Sequence, residues 1–236
     1  MSPPMNDHIA KQFDADLENI RNRVLQMGGL VEQLFVMAMD GLAGGDMLII
    51  DQAIATDERV NRHEVELDEA CTQIIARRQP TASDLRMVMT VIKTITDLER
   101  IGDEAKKIAK MAKQIHSSEF HTAPAIEFRH VSATVVAMLR QALDAFARLD
   151  VMAAGQVVRT DQEVDVEFKS AMRQLITYMM EDPRTISRSL DMVFIAKAIE
   201  RIGDHAKNIA ELVIYMVKGR DVRHIGLAEI EREIAS

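Results

Sequence analysis

Residues 98–109 read LERIGDEAKKIA and residues 199–210 read IERIGDHAKNIA. Each stretch sets a glycine inside a helical pattern and two carboxylates one turn apart. A mid-helix glycine costs about 1 kcal/mol, and like charges at i,i+4 cost roughly 0.2–0.5 kcal/mol. The same penalties recur at an offset of 101 residues, which marks a duplicated unit. A duplication this long sets the architecture before composition is consulted. Asp57 in TDERVN recurs as Asp161 in TDQEVD at an offset of 104. The smaller offset beyond Pro183 fits a shorter turn in the second copy.

Between the breaks the pattern is helical throughout. Over 8–43, Ile9, Phe13, Leu17, Ile20, Val24, Met27, Val31, Leu34 and Ala38 step by three and four, the spacing of one helix face. The same spacing predicts helices over 47–77 and 83–115, with GLAGGD at 41–46 as a break and Ser83 and Asp84 as a cap after Pro80. The second copy gives 125–152, 156–181 and 185–217, with Gly155 as the break. Aromatics are only 4% of the chain and Trp is absent, a poor supply for sheets. The expected fold is all-α: two tandem, sequence-related three-helix bundles with six long helices. The bundles should span 6–118 and 122–218, followed by a short, weakly amphipathic tail over 219–236.

Charge and cysteine usage narrow the function. The formal charge is −8, without the basic footprint of a nucleic-acid binder. Cys71 is the only cysteine, so no internal disulfide forms, and it reads as a small buried hydrophobe in a reducing compartment. The opening MSPPMNDHIAKQF has no apolar signal-peptide core, and no apolar run approaches the roughly 20 residues that span a bilayer. A cytoplasmic protein is expected. No nucleophile motif and no phosphate loop is visible, which predicts a protein without enzymatic activity. Arg77 and Arg78 are the only clustered basic candidates for an anion site, and cations at a helix end suit the helix dipole anyway.

On a helical wheel Leu98, Ile101, Gly102, Ala105, Ile108 and Ala109 share the core face, and Glu99 and Asp103 lie on its flank. Gly102 and Gly203 then allow a neighbouring helix to approach closely. An antiparallel hairpin about Pro80 sets Asp57 level with Asp103, and Asn61 level with Glu99. The hairpin about Pro183 sets Asp161 level with Asp204, and Asp165 level with Glu200. Such clusters repel unless compensated. Oxygen-only donors suit a hard cation such as magnesium, calcium, manganese or iron. Lys106 and Lys110 share the stripe, so surface ion pairing is the other reading that spacing leaves open. Paired Glu-x-x-His motifs are missing; Glu127 and His130 alone have that spacing and read as a capping or surface pair. A di-iron oxidase is therefore disfavoured. Glu64 and Asp68 extend the first stripe where the second copy has Phe168 and Met172. For Arg100 and Arg201, solvation or pairing within the helix to Glu104 is expected.

The stretches RRQPTASDLR…TDLERIGDEAKKIAK and YMMEDPRTISRSL…IERIGDHAKNIAE closely resemble the PhoU family of bacterial phosphate-signalling regulators, in the same order and with the same duplication. The resemblance implies two three-helix bundles in tandem. It also implies that the Glu/Asp-x-x-x-Asp motifs, here Glu99/Asp103 and Glu200/Asp204 with Asp57/Asn61 and Asp161/Asp165 opposite, are where iron or another divalent metal binds in some members. Its functional implication is a cytoplasmic adaptor between the ATPase subunit of a phosphate ABC transporter and a phosphate sensor histidine kinase. Such an adaptor represses the starvation response when phosphate is abundant. A homodimer is expected on the same ground. The competing class is a metal-binding bundle with a storage or redox role, carrying iron, manganese or magnesium.

Overall fold

A computed structural model describes residues 5–117 and 126–235, with side chains from Gln12 onward. Helix α1 runs Met5–Gly44, and its apolar face buries Leu17, Ile20, Val24, Met27, Val31, Leu34, Phe35 and Ala38. The GLAGGD stretch ends it as the sequence predicts: Gly45 takes a positive φ of 70°. Asp46 then caps α2 (Met47–Arg78) by accepting from the amides of Leu48 and Ile49. Helix α3 covers Ala82–Ser117, so Ser83 and Asp84 fall inside its first turn rather than ahead of it. The second copy comprises α4 (Arg129–Arg148), α5 (Val151–Glu181) and α6 (Ile186–Lys218). A 3-10 turn, Pro183–Thr185, precedes α6. Pro124 and the expected boundary between the copies at 118–122 lie outside the described residues, while the helix expected from 125 begins only at Arg129, with 126–128 non-helical ahead of it.

Two further expectations are corrected in the second copy and the tail. The break in the second copy is not at Gly155. It falls at Leu149, which takes a left-handed φ of 57°, and at Asp150, which caps α5 through the amides of Met152 and Ala153. Asp150 thus repeats the role of Asp46. Gly155 lies within α5, where a Cβ would sit 2.5 Å from Cδ1 of Ile234. The glycine makes room for a seventh helix.

That helix, α7 (Leu227–Ala235), is the second correction, since the tail is amphipathic. Its apolar face buries Ile230 and Ile234, and Val222 ahead of it is also buried. Arg159 of α5 pairs with Glu231 at 2.6 Å, and Arg220 pairs with Glu229 and Glu233. The C-terminal segment is therefore a clasp on α5 and α6.

Within each copy the three helices pack around an aliphatic core. The copies join through α3 against α6 and α1 against α4. The α3–α6 seam is polar. Asp97 accepts from His205 Nδ1 at 2.8 Å and from Asn208 at 3.1 Å. Buried Glu104 meets Arg201 of the other copy at 2.9 Å and Lys107 at 3.3 Å. Arg201 thus links the copies instead of pairing within α6, and Arg100 lies 3.6 Å from Glu99, not on Glu104.

Candidate metal centre

The α2–α3 hairpin brings Asp57 against Gly102. Asp57 is fully buried, and a Cβ on Gly102 would stand 3.9 Å from its Oδ1. Lys106 Nζ donates to Asp57 Oδ2 at 2.6 Å, and Asn61 Nδ2 donates to the same oxygen at 3.3 Å. The other oxygens, Asp57 Oδ1 and Asn61 Oδ1, are buried and accept no hydrogen bond. Leaving buried acceptors unpaired costs about 1–3 kcal/mol each, so this pair is the part of the site that asks for a cation.

Glu99 lies on the facing flank of α3. Burial pushes its carboxyl above the ordinary glutamate range; the charges of Asp103, Glu64 and Asp57 add to this, and Arg100 opposes it. Asp103 is exposed beside it. Four of the five carboxylates on the expected stripe thus share one field, Glu64 included.

The second copy repeats the plan with less acid. Asp161 is 6% exposed and accepts from Lys207 Nζ at 2.8 Å. A Cβ on Gly203 would lie 3.9 Å from Asp161 Oδ1. Burial raises the Asp204 carboxyl, Glu200 and Asp161 push it further, and Lys197 and Lys207 pull it back. Glu200 is paired with Lys197, whose ammonium also rests 5.4 Å from the centre of the Phe168 ring. Asp165 is half-exposed, with its carboxylate 3.9 Å from Lys169 one turn on.

No three His, Cys, Asp or Glu side chains among the described residues stand close enough to share one metal ion. The donor chemistry still fits a hard cation: all eight expected residues offer oxygen. The orphaned oxygens of Asp57 and Asn61 supply the independent sign. Sequence reading left ion pairing by Lys106 open as a surface contact, and missed Lys207 and the buried aspartates on which both lysines sit. The signal was present, since both follow the second carboxylate by three residues at the same repeat offset.

Other candidates resolve simply. Cys71 is buried and its thiol is pushed up to about 12 by burial and by Asp68. Arg78 is engaged with Asp16 at 2.9 Å, and Arg77 stands exposed in the last turn of α2. Glu127 pairs with Arg129 and His130 with Glu167, both on the surface.

The profile of the PhoU domain matches residues 24–112 and again 128–213. The phosphate-specific transport system accessory protein PhoU homolog of Pseudomonas aeruginosa is 48% identical over 230 residues, covering 98% of this chain and 95% of that one. The accessory protein PhoU of Escherichia coli K12 is 46% identical over 231 residues, with the same coverage. Among solved structures, PhoU from Pseudomonas aeruginosa superposes with a TM-score of 0.85 at 48% identity, covering 88% of this chain and all of that one. The phosphate transport system regulatory protein PhoU from Streptococcus pneumoniae gives 0.82 at 26% identity, covering 89% of this chain and 99% of that one. Two domain matches in tandem, the same duplicated helical fold and relatives aligned nearly end to end place the chain in the PhoU family.

Proposed function

We propose that this protein is a cytoplasmic, non-enzymatic regulator of phosphate uptake and signalling. It links the ATPase subunit of a phosphate ABC transporter to a sensor histidine kinase and holds the starvation response off when phosphate is abundant. The observation that carries the reading is the end-to-end match to relatives named for a phosphate-specific transport system. The surface supports it. Leu48, Met152, Val166, Ile176 and Met180 are large apolar side chains more than half exposed on a chain of net charge −8. Methionine adapts to more than one partner. No helix among the described residues is long and apolar enough to cross a membrane, so membrane contact is made through partners. Self-association as a homodimer belongs to the same reading.

In this reading Asp57, Asn61, Glu99 and Asp103 hold one hard cation site, and Asp161, Asp165, Glu200 and Asp204 the other. Iron, manganese or magnesium would act there as a cross-link, neutralising carboxylates on two helices of each hairpin. The chain supplies the aspartates from α2 and α5 and the i,i+4 pairs from α3 and α6.

The test is a phosphate-starvation reporter in the protein's own host, deleted for this chain and grown with abundant phosphate. High output on deletion, silenced by the wild-type chain, is the expected result. Glu99→Ala with Asp103→Ala, and Glu200→Ala with Asp204→Ala, then show what the clusters contribute. Unchanged output on deletion would overturn the regulator. Stoichiometric iron with turnover against oxygen would favour the storage or redox bundle instead.

A further inference from the structure

We propose that Lys106 and Lys207 are built-in counter-cations that a metal ion must evict, so that each cluster switches between a lysine-sealed and a metal-sealed state. This rests on the reading of the clusters as metal sites. The two lysines occupy the same position in the two copies and do the same thing there. Each crosses from the third helix of its bundle to the buried aspartate of the second, at 2.6 Å and 2.8 Å. No other basic group is paired with Asp57 or Asp161 among the described residues.

Asp57 shows why a cation is required. Its carboxylate is fully out of water, and an uncompensated buried charge is strongly unfavourable. Lys106 meets that need on Oδ2 alone and leaves Oδ1 and the Asn61 carbonyl without donors. A metal on those free oxygens would share one carboxylate with an ammonium, and the two cations would repel at short range in a low-dielectric site. One carboxylate cannot stabilise both well. The lysine is the one able to leave: its side chain is 27% exposed and that of Lys207 is 33% exposed. Both rise from helix flanks on flexible stems that reach water. Lys106 also has somewhere to go, because the charge of Glu58, which is outside the set of cation ligands, already contributes to its field.

Two consequences distinguish this device from a plain surface ion pair. The lysine keeps the hairpin folded without metal, and it lowers the site's metal affinity to a level at which occupancy responds to supply. Lys110 serves as the control, since it is exposed in the same stripe and carries the same charge, and no ion pair ties it to Asp57.

The experiment uses the full chain and Mn²⁺ as the probe. Equilibrium dialysis compares wild type, Lys106→Met and Lys110→Met. Acetylation of wild type, followed by mass spectrometry, compares Lys106 and Lys207 with Mn²⁺ and with chelator. The expected result is about tenfold tighter Mn²⁺ binding in Lys106→Met, with a change below about twofold in Lys110→Met. Lys106 and Lys207 should acetylate several-fold faster when Mn²⁺ is present. Metal binding by wild type with equal affinity in Lys106→Met, or with acetylation of both lysines unmoved by Mn²⁺, would overturn the lysine role and leave the metal sites standing. Failure of wild type and variants alike to bind Mn²⁺ would overturn both. If Lys106→Met does not fold, the acetylation of wild type decides alone.

Discussion

Glu211 is a residue whose environment contradicts its charge. It is 4% exposed on α6, beneath the segment that leads into α7, and its carboxyl is pushed up to about 7 by burial. Asp161 and Asp221 push the same way, and Lys207 and Arg223 only partly offset them. A carboxyl raised from an ordinary 4.5 to about 7 favours the folded state at low pH. That contribution is complete below about 4.5 and lost as pH rises through about 7. Glu211→Gln should therefore gain on wild type by ~2 kcal/mol between about pH 5 and pH 8, read from urea unfolding at both. An equal effect at the two pH values would show that the group does not titrate in this range. Nothing in the sequence announces this residue. Its counterpart one repeat earlier, Lys110, is exposed, and two of the charges that reach Glu211, Asp221 and Arg223, lie in the C-terminal segment that the sequence reads as a tail. The eight cluster residues are different. They were legible as candidates, because repeat offset and hairpin register together set oxygens level with oxygens. Asp165 was less so, since it is half-exposed, with Lys169 3.9 Å from its carboxylate.

Elements obey the sequence where a cap or a breaker is local, and depart from it where packing decides. Asp46 and Asp150 start their helices through their own side chains. Gly155 reads as a breaker on propensity, yet it is a helical residue because Ile234 needs its missing Cβ. The signature glycines behave as packing residues, but unequally. A Cβ at Gly102 would meet Val60 Cγ1 at 3.3 Å, tighter than ordinary contact, and Val60 is fully buried. At Gly203 the nearest atom, Val164 Cγ1, is 3.5 Å away, which is normal contact. Gly203→Ala should thus recover most of the roughly 0.5–1 kcal/mol that glycine costs a helix. Gly102→Ala should recover less than half of that, because α2 must shift. Denaturant midpoints of the two variants decide it; an equal gain at both sites would mean the α2–α3 hairpin is as loosely packed as α5–α6.

At the scale of the whole molecule, the duplication is visible in the sequence and the joint between the copies is not. Repeat offsets give two bundles without any tertiary information. The α3–α6 seam, by contrast, depends on Glu104 finding Arg201 and on Asp97 finding His205 and Asn208. Those are partners about a hundred residues apart whose repeat equivalents do different things. Asp97 corresponds to Ala198 and Glu104 to His205, so the duplication itself hides them. The result is one body with two carboxylate clusters and exposed apolar side chains on several helices, a form suited to holding two partners at once. The most direct measurement is sedimentation of the purified chain with the transporter's ATPase subunit and the cytoplasmic part of the sensor kinase, together and in pairs. The account predicts a single species containing all three. Binding to neither component, or to each only in the absence of the other, would contradict the bridging role.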